Sequence, residues 1–414
     1  MTSVSIRDAA QVLRPPEDGL AFLRHGRAGE VTLEPGSLAL EGGLVAGFEA
    51  ADADVVVDAS GCAVLPGFVD CHTHLPFAGW RAEEYERKVT GVPYEEIARA
   101  GGGIASSARA LAAASDAEVL GQAEALAREM LVHGTTAFEG KTGYGLSREG
   151  EARAARLGRE LAARVAQPMR LTGLFAHAVP PGFSADRWMD EAEALARECD
   201  VDALDIFVES VAFGNEHLAR WGAVARDTGR VLRAHVEQLS TMRSVPVALE
   251  WDARSLDHLS LMHPDDIAPL AGAECAAVLL PGAEFINAEH TAPARELADA
   301  GAICVLATDF NPGTSPIASM PLIAGLAVRR YGWSVREALL AATLNAAWVL
   351  GWSDALGSLE HGKRADVLVL DGPAEQIPYR LGHNPVAIVF AAGEPVWVRP
   401  DQAWRVTRSV EATA

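Results

Sequence analysis

Between residues 64 and 354 the chain repeats one alternation: a short apolar run, then an Ala-, Glu- and Arg-rich stretch with helical spacing. The candidate strands are VLPGFVD (64–70), TTAFEG (135–140), RLTGLFA (170–176), ALDIFVE (203–209), VLRAH (231–235), SLDHL (255–259), CAAVLLPG (275–282) and ICVLATD (303–309). Helical stretches such as 149–166 lie between them. Parallel neighbours need a crossover, and a helix supplies it, so eight such units predict a (β/α)8 TIM barrel in the α/β class. Two further helices, 316–330 and 334–350, would lead the chain out of the barrel.

The ends have another texture. In SLALEGGLVAGFEA (37–50) a Gly-Gly pair separates two apolar runs, which signals a hairpin. GSLEHGKRADVLVLDG (357–372) and NPVAIVFAAGEPVWV (384–398) are β-branched runs broken by Gly and Asp. Neither end closes a sheet comfortably alone. The expected organisation is a small composite β-sandwich domain, 1–63 plus 355–414, around a barrel at 64–354.

An apolar fraction of 49% supplies a large core and excludes a disordered chain. Asp and Glu (56) outnumber Lys and Arg (35), giving a net charge of −21. Such a field disfavours nucleic acid and anionic membrane as partners, but not a small anionic substrate held by one local Arg. The five cysteines are scattered without a C-x-x-C pair, which favours a reducing, cytoplasmic setting over a disulfide framework. No apolar run is long enough for a membrane helix, and the first residues lack a signal-peptide core.

In barrels of this kind the chemistry sits at the C-terminal ends of the strands. His72 and His74 follow the first strand with one residue between them, so both rings project to the same side of an extended segment. His235, His258 and Asp309 end the fifth, sixth and eighth strands. Taken singly, each has a plainer reading: a turn histidine, a satisfied core histidine, a turn-forming Asp. Convergence at four strand ends is harder to assign to packing. His72, His74, His235 and Asp309 would offer three imidazoles and a carboxylate to one divalent metal, Zn(II) or Fe(II). The Gly-Gly-Gly at 101–103 lacks the Lys-Ser/Thr of a phosphate loop and reads as a connecting loop.

The order of H-x-H, His, His and Asp resembles the metal-dependent amidohydrolase superfamily. Within it, LPGFVDCHTHLPFAGWRAEEYERKVTG, VPYEEIARAGGGI, HGTTAFEGKTGYGLS, RAHVEQLS and LATDFNPGTSP resemble the imidazolonepropionase family, over nearly the whole chain. The resemblance implies hydrolysis of the cyclic amide 4-imidazolone-5-propanoate, in histidine degradation, by a homodimer. It places the metal on His72, His74, His235 and Asp309. Substrate contacts fall on Arg81, Tyr94, Tyr144, His177, Gln238, Asn311, Gly313 and Thr314, and His258 and Asp309 act in catalysis. Arg81 suits the substrate carboxylate, since guanidinium and carboxylate pair in a planar fork.

Three features depart from the family pattern. Thr314 stands where Ser is common. LSTMRSVPVALE follows the fifth strand where a Gly-Gly pair is usual. Position 238 is Gln, where the wider superfamily often has Glu, and Gln cannot carry a proton. Glu237 is adjacent but, by strand alternation, should point away. Two other readings stand beside the hydrolase: a deaminase of an aminated heterocycle using the same centre, and a scaffold without catalysis.

Overall fold

Five strands between Val4 and Pro66 enter a sheet before the barrel begins. This computed structural model describes residues 3–92, 96, 101–288 and 290–408, so Tyr94 lies outside the described residues. The first strands are β1 (Val4–Arg14), β2 (Thr32–Glu41), β3 (Leu44–Gly47), β4 (Val55–Asp58) and β5 (Ala63–Pro66). The Gly42-Gly43 turn joins β2 to β3 as a hairpin.

Eight parallel strands follow: β6 (Phe68–Asp70), β7 (Thr135–Lys141), β8 (Met169–Ala176), β9 (Ala203–Val208), β10 (Val231–Val236), β11 (Ser255–His258), β12 (Ala276–Leu279) and β13 (Ile303–Leu306). They pair in sequence order from β6 to β13, as an all-parallel barrel requires. Between β13 and β6 the junction is made by a bridge from Thr73 to Phe310 and by the Asp70 carboxylate. That carboxylate accepts hydrogen bonds from Thr308 N (3.1 Å) and Thr308 Oγ1 (2.6 Å).

The chain then returns to the first sheet through β14 (Val367–Leu370), β15 (Val386–Ala391), β16 (Glu394–Val398) and β17 (Val406–Arg408). The nine-stranded mixed sheet runs β16-β15-β14-β5-β1-β2-β3, with β4 on β1 and β17 on β4. β1 is shared along its length. Val4–Arg7 pair with β4, whereas Gln11 and Val12 pair with β5. Residues of both arms, among them Ile6, Val57, Val64, Val369, Ile388 and Phe390, bury one apolar core.

Two sequence expectations change. The run 64–70 is two strands, because Pro66 has no N–H to continue a ladder and ends β5. Val64–Pro66 therefore pair with β14 in the terminal sheet, and only 68–70 enter the barrel. The helix expected over 334–350 is broken into Val335–Ala341 and Leu344–Val349, with Thr343 out of helical geometry between them. The helix expected over 149–166 spans Arg148–Arg164, its first turn capped by the Ser147 hydroxyl accepting from Gly150 N at 3.0 Å. Among the described residues, no helix is long and apolar enough to cross a membrane.

Candidate metal centre

Five side chains from four strand ends meet at one mouth of the barrel. His72 and His74 follow β6, His235 lies near the end of β10, His258 ends β11 and Asp309 follows β13. Ligand atoms of His72, His74 and His235 all lie within 4.8 Å of one another, and so do those of His72, His258 and Asp309. Asp309 Oδ1 is 3.2 Å from His74 Nε2 and 3.5 Å from His72 Nε2. His258 and Asp309 both hold left-handed backbones, at φ 81° and 55°. Non-glycine residues adopt that conformation at an expense of about 1–2 kcal/mol each, and it aims their side chains at the centre.

The hydrogen bonds fit a metal site. His72 Nδ1 lies 2.6 Å from Asp257 Oδ2 and His235 Nδ1 lies 3.1 Å from Asp205 Oδ1. The Nε2 atoms of the same two rings are buried and have no hydrogen-bond partner. A ring that donates Nδ1–H to a carboxylate keeps its Nε2 lone pair for a cation. Burial holds His72 and His74 well below the ordinary histidine pKa and lowers His258 to about 3, so all three stay neutral. Burial also raises the Asp309 carboxyl, against the pull of His258 and His235.

Under the imidazoles lies a layer of charge that sequence reading missed. Lys141, Asp205, Glu139, Arg233 and Asp257 are all at most 1% exposed. Lys141 Nζ is 2.7 Å from Asp205 and 2.9 Å from Glu139, and Arg233 pairs with Asp257 at 2.8 Å and with Glu139. A charged letter suggests a surface position, which is why these went unread. The available signal was alternation: Glu139 and Lys141, or Arg233 and His235, stand two apart on one strand and share its inward face.

Above the imidazoles a cavity of about 570 Å³ opens, bordered by His74, Arg81, Tyr144, His177, Gln238 and Thr314 among others. Arg81 immediately precedes the helix Ala82–Val89, and its side chain makes no capping bond to it. Its guanidinium lies directly on Gly313, where any Cβ would collide with it, so Gly313 is what gives Arg81 room. Arg81 Nε is buried without a hydrogen-bond partner, and Glu84 is 3.9 Å from Nη1. Gly143, at φ 113°, lets its carbonyl meet His177 Nδ1 at 3.0 Å, and a Cβ there would strike the His177 ring. His177 stacks on His74 with centroids 5.4 Å apart, and Tyr144 lies 5.4 Å from His177.

Asn311 commits its amide to its own loop, donating to Asp309 O and Thr314 Oγ1 and accepting from Gly313 N and Thr314 N. Glu237 does point away from the cavity: its carboxylate accepts from Met242 N and Ser244 N. The helix after β10 starts only at Ser244, after a left-handed Arg243. Gly103 of the Gly-Gly-Gly loop also borders the cavity, and its N–H donates to Glu84 Oε2 at 2.7 Å.

A model of the amidohydrolase family matches residues 63–399. The imidazolonepropionase of Rubrobacter xylanophilus is 44% identical over 81% of this chain and 82% of its own. That of Mesorhizobium japonicum is 38% identical over 89% and 94%. The chain belongs to the imidazolonepropionase family of amidohydrolases. Solved structures of more distant proteins share the fold. A triazine hydrolase variant superposes with a TM-score of 0.69 at 19% identity, covering 97% of both chains. An adenosine deaminase from Xanthomonas campestris with bound zinc gives 0.66 at 19%, covering 95% of this chain and 93% of its own. The amidohydrolase superfamily is metal-dependent, and the histidine-rich group of this imidazolonepropionase-family chain has the donors to hold a metal.

Proposed function

We propose that this chain hydrolyses 4-imidazolone-5-propanoate to N-formimidoyl-L-glutamate, as its imidazolonepropionase relatives are named for doing. The observation that carries the reading is a pairing of two features in one cavity. At the floor, the unpartnered Nε2 atoms of His72 and His235 lie among His74, His258 and Asp309. At the wall sits the Arg81 guanidinium with its Nε unpartnered. The substrate offers a ring amide to the first and a carboxylate to the second.

His72, His74, His235 and Asp309 would hold one divalent cation, Zn(II) or Fe(II), as hard-to-intermediate N/O donors do. Bound there, the cation would act as a Lewis acid that activates water and polarises the amide carbonyl. Asp309 takes a proton from the attacking water and returns it to the ring nitrogen as the C–N bond breaks. His258, neutral, orients the water or donates to the developing oxyanion. Arg81 fixes the propanoate carboxylate, and Tyr144, His177 and Gln238 supply polar contacts around the ring. The family pattern also assigns substrate contacts to Tyr94, Asn311, Gly313 and Thr314; the Asn311 amide, accepting from Gly313 N and Thr314 N, would act by holding that loop. The five unpaired cysteines support a reducing, cytoplasmic setting.

The test is a spectrophotometric assay of freshly made imidazolonepropionate beside a panel of cyclic amides and aminopurines, with zinc or iron supplied. The expected result is a clear maximum of kcat/KM for imidazolonepropionate. A maximum on an aminopurine would replace this reading with a deaminase.

A further inference from the structure

Lys141 belongs to the Lys141–Thr142–Gly143–Tyr144 segment, whose Tyr144 faces the cavity, yet the lysine does not. It ends β7 fully buried beneath the imidazoles. Its Nζ contacts three carboxylates: Asp205 Oδ2 at 2.7 Å, Glu139 Oε2 at 2.9 Å and Asp257 Oδ2 at 3.9 Å. Two of these go on to touch a candidate metal ligand. Asp205 meets Nδ1 of His235 and Asp257 meets Nδ1 of His72. One ammonium on β7 thus links carboxylates of β9 and β11 to rings after β6 and on β10.

We propose that Lys141 is a positioning residue for the metal centre. By pinning the Asp205 and Asp257 carboxylates, it fixes the tautomer and pitch of His235 and His72, so that both free Nε2 atoms address the same point. A carboxylate that accepts Nδ1–H makes the opposite nitrogen a better ligand only while it stays in place. Without the ammonium, three carboxylates face one remaining cation, Arg233, and they rearrange to relieve their repulsion.

Simple Coulomb attraction predicts the opposite outcome. Lys141 and Arg233 carry two positive charges against three negative ones on Glu139, Asp205 and Asp257. Removing Lys141 makes the floor more negative and would draw a cation more strongly. The sign of the change in affinity therefore separates positioning from bulk charge. The inference rests on the metal-dependent reading of the site, and not on the identity of the substrate.

The experiment strips the full-length chain of metal and titrates zinc in competition with a chromophoric chelator. Co(II) loading is read alongside by its d–d absorption. For Lys141→Met the expected result is zinc binding about 10–100-fold weaker, the range seen when outer partners of metal-bound histidines are lost. The Co(II) bands should shift as well. Affinity equal to or tighter than wild type, with unshifted Co(II) bands, overturns the proposal. Should Lys141→Met fail to fold, Lys141→Gln also removes the ammonium while keeping a polar side chain at that place, so Coulomb attraction again predicts tighter zinc, whereas positioning predicts zinc weaker by about tenfold. Unchanged or tighter zinc affinity in that variant also overturns it. Wild-type protein that takes up no zinc would instead refute the metal-dependent reading.

Discussion

The floor of the barrel and the core of the terminal sheet are buried to the same depth and filled with opposite chemistry. Beneath the imidazoles, Glu139, Lys141, Asp205, Arg233 and Asp257 are at most 1% exposed. In the terminal sheet, Ile6, Val57, Val369, Ile388 and Phe390 are equally inaccessible, and they are entirely apolar. Apolar burial stabilises by about 25 cal/mol per Å². Burying an ion costs several kcal/mol before pairing offsets it, so a charged floor is a poor way to gain stability. The terminal sheet shows that this sequence closes a core with Val, Leu and Ile where nothing else is asked of it. The charged floor stands where imidazoles must be held at fixed orientation, and orientation is what paired, hydrogen-bonded charges provide.

If that contrast is right, substitutions in the two regions should separate activity from stability. The largest effect is expected at Asp309. Asp309→Ala, with metal resupplied, should lower kcat by about 10²–10⁴-fold, the usual worth of general acid–base help. In the metal-free protein its melting temperature should stay close to that of the parent, since the lost carboxyl is one that burial disfavours in its charged form. Near-native kcat would remove Asp309 from proton transfer and weaken the distinction between the regions at its strongest point.

Arg81 comes next. It stands at the cavity wall, and a hydrogen bond to a charged partner contributes about 1.5–3 kcal/mol. Arg81→Met should raise KM for a carboxylate-bearing substrate by about 10–100-fold, with a smaller change in kcat, as steady-state kinetics would show. An unchanged KM would move the carboxylate elsewhere in the cavity.

How much of this was legible in the sequence follows from the same contrast. The eight barrel strands could be read because short apolar runs bounded by turns and helices have few other uses. His72, His74, His235, His258 and Asp309 could be read because strand ends in such a barrel converge, whatever their distance along the chain. The floor could not be read by that route. Lys141 and Arg233 look like solvated residues until their strands are known to have a closed interior. The division of 64–70 was hidden for a related reason. Continuous apolar character does not say which sheet a residue joins, and the pairing of Pro66 with Val367 is a long-range fact. At Glu237 the expected direction holds for another reason: the residue lies just past β10 with a left-handed backbone, φ 56°, and its carboxylate turns to the backbone of Met242 and Ser244.

The smallest effect belongs to the terminal sheet and tests its independence. Ile388 on β15 is fully buried in the apolar core and pairs with Val369 of β14 and Val398 of β16. Ile388→Val removes one methylene and should destabilise the protein by about 0.5–1.5 kcal/mol, read as a lower denaturant midpoint at unchanged slope. Zinc affinity, kcat and KM should not move, because the core around Ile388 is apolar and contains none of the residues that surround the imidazoles. The route by which they could move is β5. It pairs with β14 and runs through Gly67 directly into β6, the strand that carries His72 and His74. A change in zinc affinity in Ile388→Val would mean that packing in the terminal sheet sets the pitch of β6. The two regions would then be one mechanical unit, and the contrast in their chemistry would not be a division of labour.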